Sequence, residues 1–212
     1  MLKQIEDYVK SLAGNTEPAH KYDHFDRSRK WGLMIAEQEN YPDLESVEIA
    51  CLMHDIGLVE GRKDHGARGA EMAEKFLQSI GMHEGRISEI CHAIRYHDSN
   101  RKGESTKLLD IVRDADIMEL LGPIGIMRAG AGGYYLPVSD DSGKGQYANH
   151  SAKDFDELFD VGKVKWESLL DILNFQNSCY ENLKTDAAKK IAKKWVDYSK
   201  RFLKELHEQL EQ

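Results

Sequence analysis

Proline and aromatic residues are scarce in this chain, four prolines in 212 residues and 8% Phe, Trp and Tyr. That scarcity argues against a β-sandwich, which draws on turn-forming residues and on aromatic and β-branched faces. Cysteine is scarce as well. Cys51, Cys91 and Cys179 sit in apolar helical contexts and in no C-x-x-C pattern, which excludes a disulfide framework and a thiolate zinc site and predicts buried, reduced thiols. No apolar run is long enough to span a bilayer and no signal peptide precedes the first helix, so a cytoplasmic protein with no membrane partner is expected. Positive charge is also short: 29 Lys and Arg stand against 37 Asp and Glu, a formal net charge of −8. A nucleic-acid polymer needs a dense basic face and is excluded as a partner. A small phosphorylated substrate is not, because a few local cations or one metal ion suffice for it. The glycine-rich stretch 130–153 matches neither G-x-G-x-x-G nor a Walker loop.

What the chain does have is helical period nearly throughout, and the fold class it predicts is all-α. An amphipathic helix over 2–13 closes at Gly14-Asn15. A second runs from the polar entry Pro18–His24 to about Glu39, and a buried third follows the Pro42-Asp43 break and ends at His54-Asp55. After a break from Gly57 to Gly61, helices are expected from Lys63-Asp64-His65-Gly66 to Gly81, over 84–97 and over 107–121. Gly122-Pro123 punctuates, and a short helix covers 124–129. The irregular segment from Gly130 to about Lys153 is expected to be a flap over a site, and two helices over 155–182 and 185–210 close the chain. These last two serve packing and offer a surface for a homodimer. One domain over 1–212 is predicted, with its core over about 18–130 and the helices of 153–212 packing onto it.

Chemistry concentrates in the first half. His54 and Asp55 close an apolar run, and a buried imidazole beside a buried carboxylate is costly unless something binds them. His24 shares a helix stripe with Trp31 and Ile35, which favours it over His20 for an inward ring, with Arg27 on the same face. His65 starts a helix, either as a cap or facing a pocket. His97 continues the stripe of Ile87, Ile90 and Ile94, whereas His92 lies off it. Asp114 and Asp116 interrupt an apolar helix, where aspartate is a poor resident, and Asp116 is expected to face inward more than Asp114. Imidazole and carboxylate together suit one divalent ion, Mn²⁺, Fe, Co, Ni, Zn²⁺ or Mg²⁺.

His24-x-x-Arg27, then His54-Asp55-Ile56-Gly57, then Asp116 in Asp-Ala-Asp resembles the H…HD…D signature of the HD-domain superfamily of metal-dependent phosphohydrolases. Gly122-Pro123-Ile124-Gly125-Ile126-Met127-Arg128 and Thr185-x-x-Ala188-x-x-Ile191-Ala192 resemble its branch of small bacterial and archaeal hydrolases, some of which act on nucleotides. The resemblance implies an HD-domain helical bundle with a C-terminal helical extension. It implies one divalent metal on His24, His54, Asp55 and Asp116, and a second only if His65 and His97 join. The implied activity is cleavage of a phosphate ester or anhydride of a small molecule, with water activated at the metal. Asp55 would orient that water, His65 or His97 would protonate the leaving oxygen, and Arg27, Lys63 and Arg128 would clamp phosphate. Two other readings compete: a non-catalytic HD module that binds a nucleotide or other ligand, and a di-iron HD-fold oxygenase that would need six or more ligands.

Overall fold

The computed structural model describes residues 1–14, 20–98, 104–131, 146–166 and 168–210, and among them it is all-α, with no strand. The chain divides into two compact units, Met1–Met118 with Lys184–Ala188, and Glu119–Leu183 with Lys189–Gln212. None of the described helices is long and apolar enough to cross a membrane.

In the first unit, α1 (Leu2–Ala13), α2 (Tyr22–Gln38), α3 (Leu44–Met53), α4 (His65–Ser79), α5 (Glu84–Tyr96) and α6 (Lys107–Met118) follow in order. The middle of this set is α3. Val47, Ile49, Ala50, Cys51, Leu52 and Met53 are all fully buried, its first turn reaches solvent through Leu44 and Glu45, and it packs against α1, α2, α5 and α6. The unbroken apolar run Ile49–Met53 belongs in the core, and the C-terminal end of α3 therefore emerges inside the protein rather than at its surface. That end is His54-Asp55. The Asp43 side chain caps its other end by accepting from Ser46 N at 3.1 Å. Arg29, on α2, ties three helices together through Glu6 at 2.8 Å and Glu48 at 3.3 Å. The break expected after His54-Asp55 is a 3-10 turn over Ile56–Glu60.

The two aspartates of α6 divide their work. Asp114, not Asp116, is the fully buried one, which corrects the expected order. Residues two apart on a helix point to different faces. The Asp114 carboxylate accepts from Lys184 N at 2.8 Å, Thr185 N at 2.7 Å and Thr185 Oγ1 at 2.6 Å. Thr185 Oγ1 in turn accepts from Ala188 N, capping the helix that follows. Burial holds the Asp114 carboxyl above its ordinary range despite these donors.

The second unit holds α7 (Gly122–Ala131), α8 (Ala152–Asp160), α9 (Leu169–Ser178) with a 3-10 turn at Cys179–Asn182, and α10 (Asp186–Leu210) from Lys189 onward. Ala129, Leu170, Leu173 and Leu203 form its core, with Trp166, Phe202 and Leu206 against them. The single helix expected over 155–182 is three pieces. Capping boxes at Ser151/Asp154 and Ser168/Asp171 start two of them, and Gly162 at φ +64° turns the chain between. The helix expected to run to 121 stops at Met118, and Gly122-Pro123 opens α7 rather than separating helices. The flap expected over 130–153 falls largely on residues 132–145, outside the described residues. All three cysteines are free, with Cys51 and Cys179 buried.

Asp114→Ala would leave two backbone N–H groups of the first unit without their acceptor. It is expected to cost about 2–3 kcal/mol in chemical denaturation while bound metal per chain stays unchanged. Asp116→Ala is expected to do the reverse.

Candidate metal centre

His24 comes from the first turn of α2, His54 caps the C-terminus of α3, Asp55 follows it, and Asp116 comes from the last turn of α6. The structure brings all four together. His24 Nε2 and His54 Nε2 lie 3.1 Å apart. Asp55 Oδ2 is 3.4 Å from each of them, and Asp116 Oδ1 is 3.6 Å from each. Both histidines are 1% exposed, whereas the Asp116 side chain is 29% exposed, so water reaches the cluster from the Asp116 side.

Hydrogen bonding decides which ring nitrogen faces inward. His54 Nδ1 is 2.8 Å from the Cys51 carbonyl, three residues back. A carbonyl only accepts, so Nδ1 carries the proton and Nε2 presents its lone pair. Such an outer partner is the usual device that aims a ligating histidine. Two imidazole nitrogens 3.1 Å apart, with two carboxylate oxygens beside them, call for a proton or cation among them. Two imidazole nitrogens and two carboxylate oxygens fit a divalent ion of the Mn, Fe, Co, Ni, Zn type.

Asp55 has a second set of neighbours. Its other oxygen, Oδ1, lies 3.1 Å from His65 Nε2 and 3.2 Å from His97 Nε2. These rings are aimed the same way as His54: His65 Nδ1 donates to the Arg62 carbonyl and His97 Nδ1 to the Ile94 carbonyl, each at 2.8 Å. His65 thus faces the carboxylate and does not cap its helix. What brings it there is a backbone contact. A Cβ on Gly57 would lie 2.1 Å from the His65 carbonyl oxygen and 2.7 Å from Gly69 N. Only glycine lets the turn after Asp55 touch the first turn of α4 so closely.

The charges are strongly coupled. Burial penalises the ionised Asp55, yet the surrounding histidines, His54 foremost, hold it well below the carboxylate range, and the neighbouring histidines lower Asp116 too. Burial also disfavours a charged His54, but Asp55 and Asp116 hold it well above the usual imidazole value. His65 is raised by Asp55 and Asp98, again against burial. Two carboxylates here demand positive charge, and protons or a metal ion can supply it.

Of the expected phosphate-binding residues, Arg27 lies half-buried one turn after His24, and Lys63 is exposed in the turn before α4. Arg128 belongs to the second unit, where its guanidinium donates to the Glu119 carbonyl at 3.1 Å. Sequence reasoning passed over two neighbours. His20, set aside in favour of His24, is buried with Nε2 3.9 Å from Asp55 Oδ2. Asp98, which follows His97 directly, stands 3.4 Å from His65 Nδ1. The spacing of four from His20 to His24 was the available signal for the first. His92 Nε2 donates to the Glu104 carbonyl at 2.7 Å and takes no part in the cluster.

Residues 22–121 match the HD domain family. No curated protein sequence matches the chain. Among solved structures, Bacillus subtilis YpgQ in complex with ADP is similar at 21% identity, with 98% of this chain and 93% of that one covered and a TM-score of 0.68. A predicted HD superfamily hydrolase from an uncultured Thermotogales bacterium shares 24% identity over 96% and 92% of the two chains, at a TM-score of 0.63. An HD-superfamily hydrolase from Bacillus thuringiensis shares 20% over 98% and 95%, at 0.66. At these identities the likeness is one of fold.

A cation entering this cluster displaces protons. Titration with Mn²⁺ in buffers of different ionisation enthalpy is expected to show net proton release and a Kd that weakens as pH falls, roughly tenfold per unit for each proton displaced. A Kd independent of pH would contradict the placement.

Proposed function

With residues 22–121 matching the HD domain family as the premise, we propose that the chain is a metal-dependent phosphohydrolase acting on a small phosphorylated molecule, a nucleotide foremost. The observation that carries this reading is the convergence of His24, His54, Asp55 and Asp116: the two imidazole nitrogens lie 3.1 Å apart, and each carboxylate stands 3.4–3.6 Å from both. These four residues would hold one divalent ion. The ion supplies a lowered pKa for water and positive charge against a phosphoryl oxygen.

The chain's own residues divide the rest. Asp55 works with both oxygens, Oδ2 toward the ligand cluster and Oδ1 toward His65 and His97. His65 is bonded at both ring nitrogens to groups that only accept, the Arg62 carbonyl and the Asp55 carboxylate. Its side chain is 12% exposed against 1% for His97, so of the two it is the more accessible and the one that would protonate the leaving oxygen. His97 supports Asp55 from the other side. Arg27 and Lys63 are the candidate phosphate contacts from the first unit. The ADP bound to Bacillus subtilis YpgQ supports the choice of nucleotides as the first class to test.

A second reading rests on the groups His54–Asp55–His97 and His65–His97–Asp98, whose ligand atoms lie within 4.8 Å. They would take a second ion, as an oxygenase would require, and a non-catalytic module would bind ligand without turnover. The test is a hydrolysis panel of nucleotides and phosphate esters with Mn²⁺, Co²⁺, Ni²⁺ and Mg²⁺ supplied separately, together with metal analysis. One ion per chain and phosphate or pyrophosphate release are expected. His54→Ala and Asp55→Ala are each expected to abolish turnover and bound metal with the helical circular-dichroism spectrum retained. Turnover retained in both variants rejects the assignment. Two irons per chain with an oxidised-cluster absorption favour the oxygenase.

A further inference from the structure

We infer that Arg68 is a positioning residue whose guanidinium clamps the turn between Asp55 and His65 and so holds the His65 ring on Asp55. The inference rests on the reading of His65 as the proton donor.

Arg68 sits three residues into α4 from His65, and helical side chains lean toward the N-terminus, so its guanidinium lies back over the preceding turn. There it meets three carbonyls of one short segment. Nε and Nη2 donate to Gly57 O at 3.2 and 3.1 Å. Nη1 donates to Lys63 O at 2.9 Å, and Nη2 also donates to Gly61 O. One planar group with five N–H donors can span three acceptors; an ammonium cannot.

The segment is also tied by Gly61 N donating to Leu58 O at 2.9 Å, by His65 N donating to Arg62 O at 3.3 Å and by Glu60 at 3.6 Å from Arg68 Nε, all local bonds. Glu60, Gly61, Arg62, Lys63 and Asp64 are all exposed, so no side chain of these five is buried to hold the turn. Two of them are left-handed, Gly61 at φ +102° and Asp64 at φ +54°, the latter uncommon outside glycine. Yet the turn supplies the Arg62 carbonyl, the acceptor that keeps the His65 Nδ1 proton in place and aims Nε2 at Asp55 Oδ1. Gly57, whose carbonyl takes two of the Arg68 bonds, is also the residue in backbone contact with the His65 carbonyl. Release of the clamp frees both contacts of His65 with the turn. The four residues of the metal cluster lie on α2, α6 and the end of α3, on none of the clamped residues.

The experiment compares wild type, Arg68→Ala, His65→Ala and the double variant, each loaded with metal. Arg68→Ala is expected to keep its metal stoichiometry and KM while kcat falls about 10–100-fold, the usual loss for an outer partner of an active-site histidine. The double variant is expected to be no slower than His65→Ala, because the arginine acts through the histidine. Multiplying losses, or loss of metal from Arg68→Ala, would overturn the inference. A readout independent of turnover is the imidazole N–H spectrum of the Mg²⁺-loaded protein by NMR. The His65 Nδ1–H signal is expected to vanish into solvent exchange in Arg68→Ala while those of His54 and His97 persist; an unchanged His65 signal would overturn it as well. Arg68→Lys guards against a misfolded alanine variant, since it keeps charge and stem but cannot bridge three carbonyls, and the same His65 signal is expected to weaken. If the panel yields no substrate, the phosphohydrolase reading fails and the NMR comparison still decides the clamp.

Discussion

A single carboxylate, that of Asp55, holds two groups of imidazoles apart and together. One oxygen looks toward His24 and His54, the other toward His65 and His97, at distances between 3.1 and 3.4 Å. Placing such a group inside a protein is unfavourable on its own. It is tolerated here because four histidines surround it and because the C-terminal half of the helix that delivers it, Ile49–Met53 of α3, is apolar and buried throughout. The burial of α3 and the charge of Asp55 are thus one constraint. A helix with a wet face would have brought the same two residues to the surface, where a pair of side chains gathers no further partners.

The histidines share a mode of attachment. His54, His65 and His97 each give the Nδ1 proton to a carbonyl three residues earlier. The rings are therefore fixed by the backbone at the ends of three separate elements, not by the group they face. Such an arrangement is set before any ligand arrives, and little reorganisation is needed when one does. The glycine contact at Gly57 extends this logic from side chains to main chain, since it fixes the distance between two of those ends.

Much of this was legible in the sequence, for reasons that can be named. His54-Asp55 stood out because a polar pair ended an apolar run, and His24 and Asp116 because each lay on a stripe that continued into the core. The helices of the first half were legible from their period. Asp114 was not, because its partners are the backbone of Lys184 and Thr185, seventy positions on and invisible to any local pattern. His20 was passed over because Trp31 and Ile35 extend the stripe of His24 rather than its own. The division of 155–182 was signalled by Ser151-x-x-Asp154, Ser168-x-x-Asp171 and Gly162, and the apolar period running through them masked it. The role of the turn 57–63 was hidden because carbonyl acceptors leave no mark on residue identity.

The segment Lys184–Ala188 counts with the first compact unit although 65 residues of the second intervene. That unit is therefore discontinuous along the chain. A polypeptide ended at Met118 would carry every residue of the histidine cluster and still leave the Asp114 carboxylate without its donors. On the ribosome, the same order means that the Asp114 carboxylate waits for its donors until Lys184 and Thr185 have been synthesised. The buried face of α6 that carries Asp114 thus gains its anchor only when α10 begins.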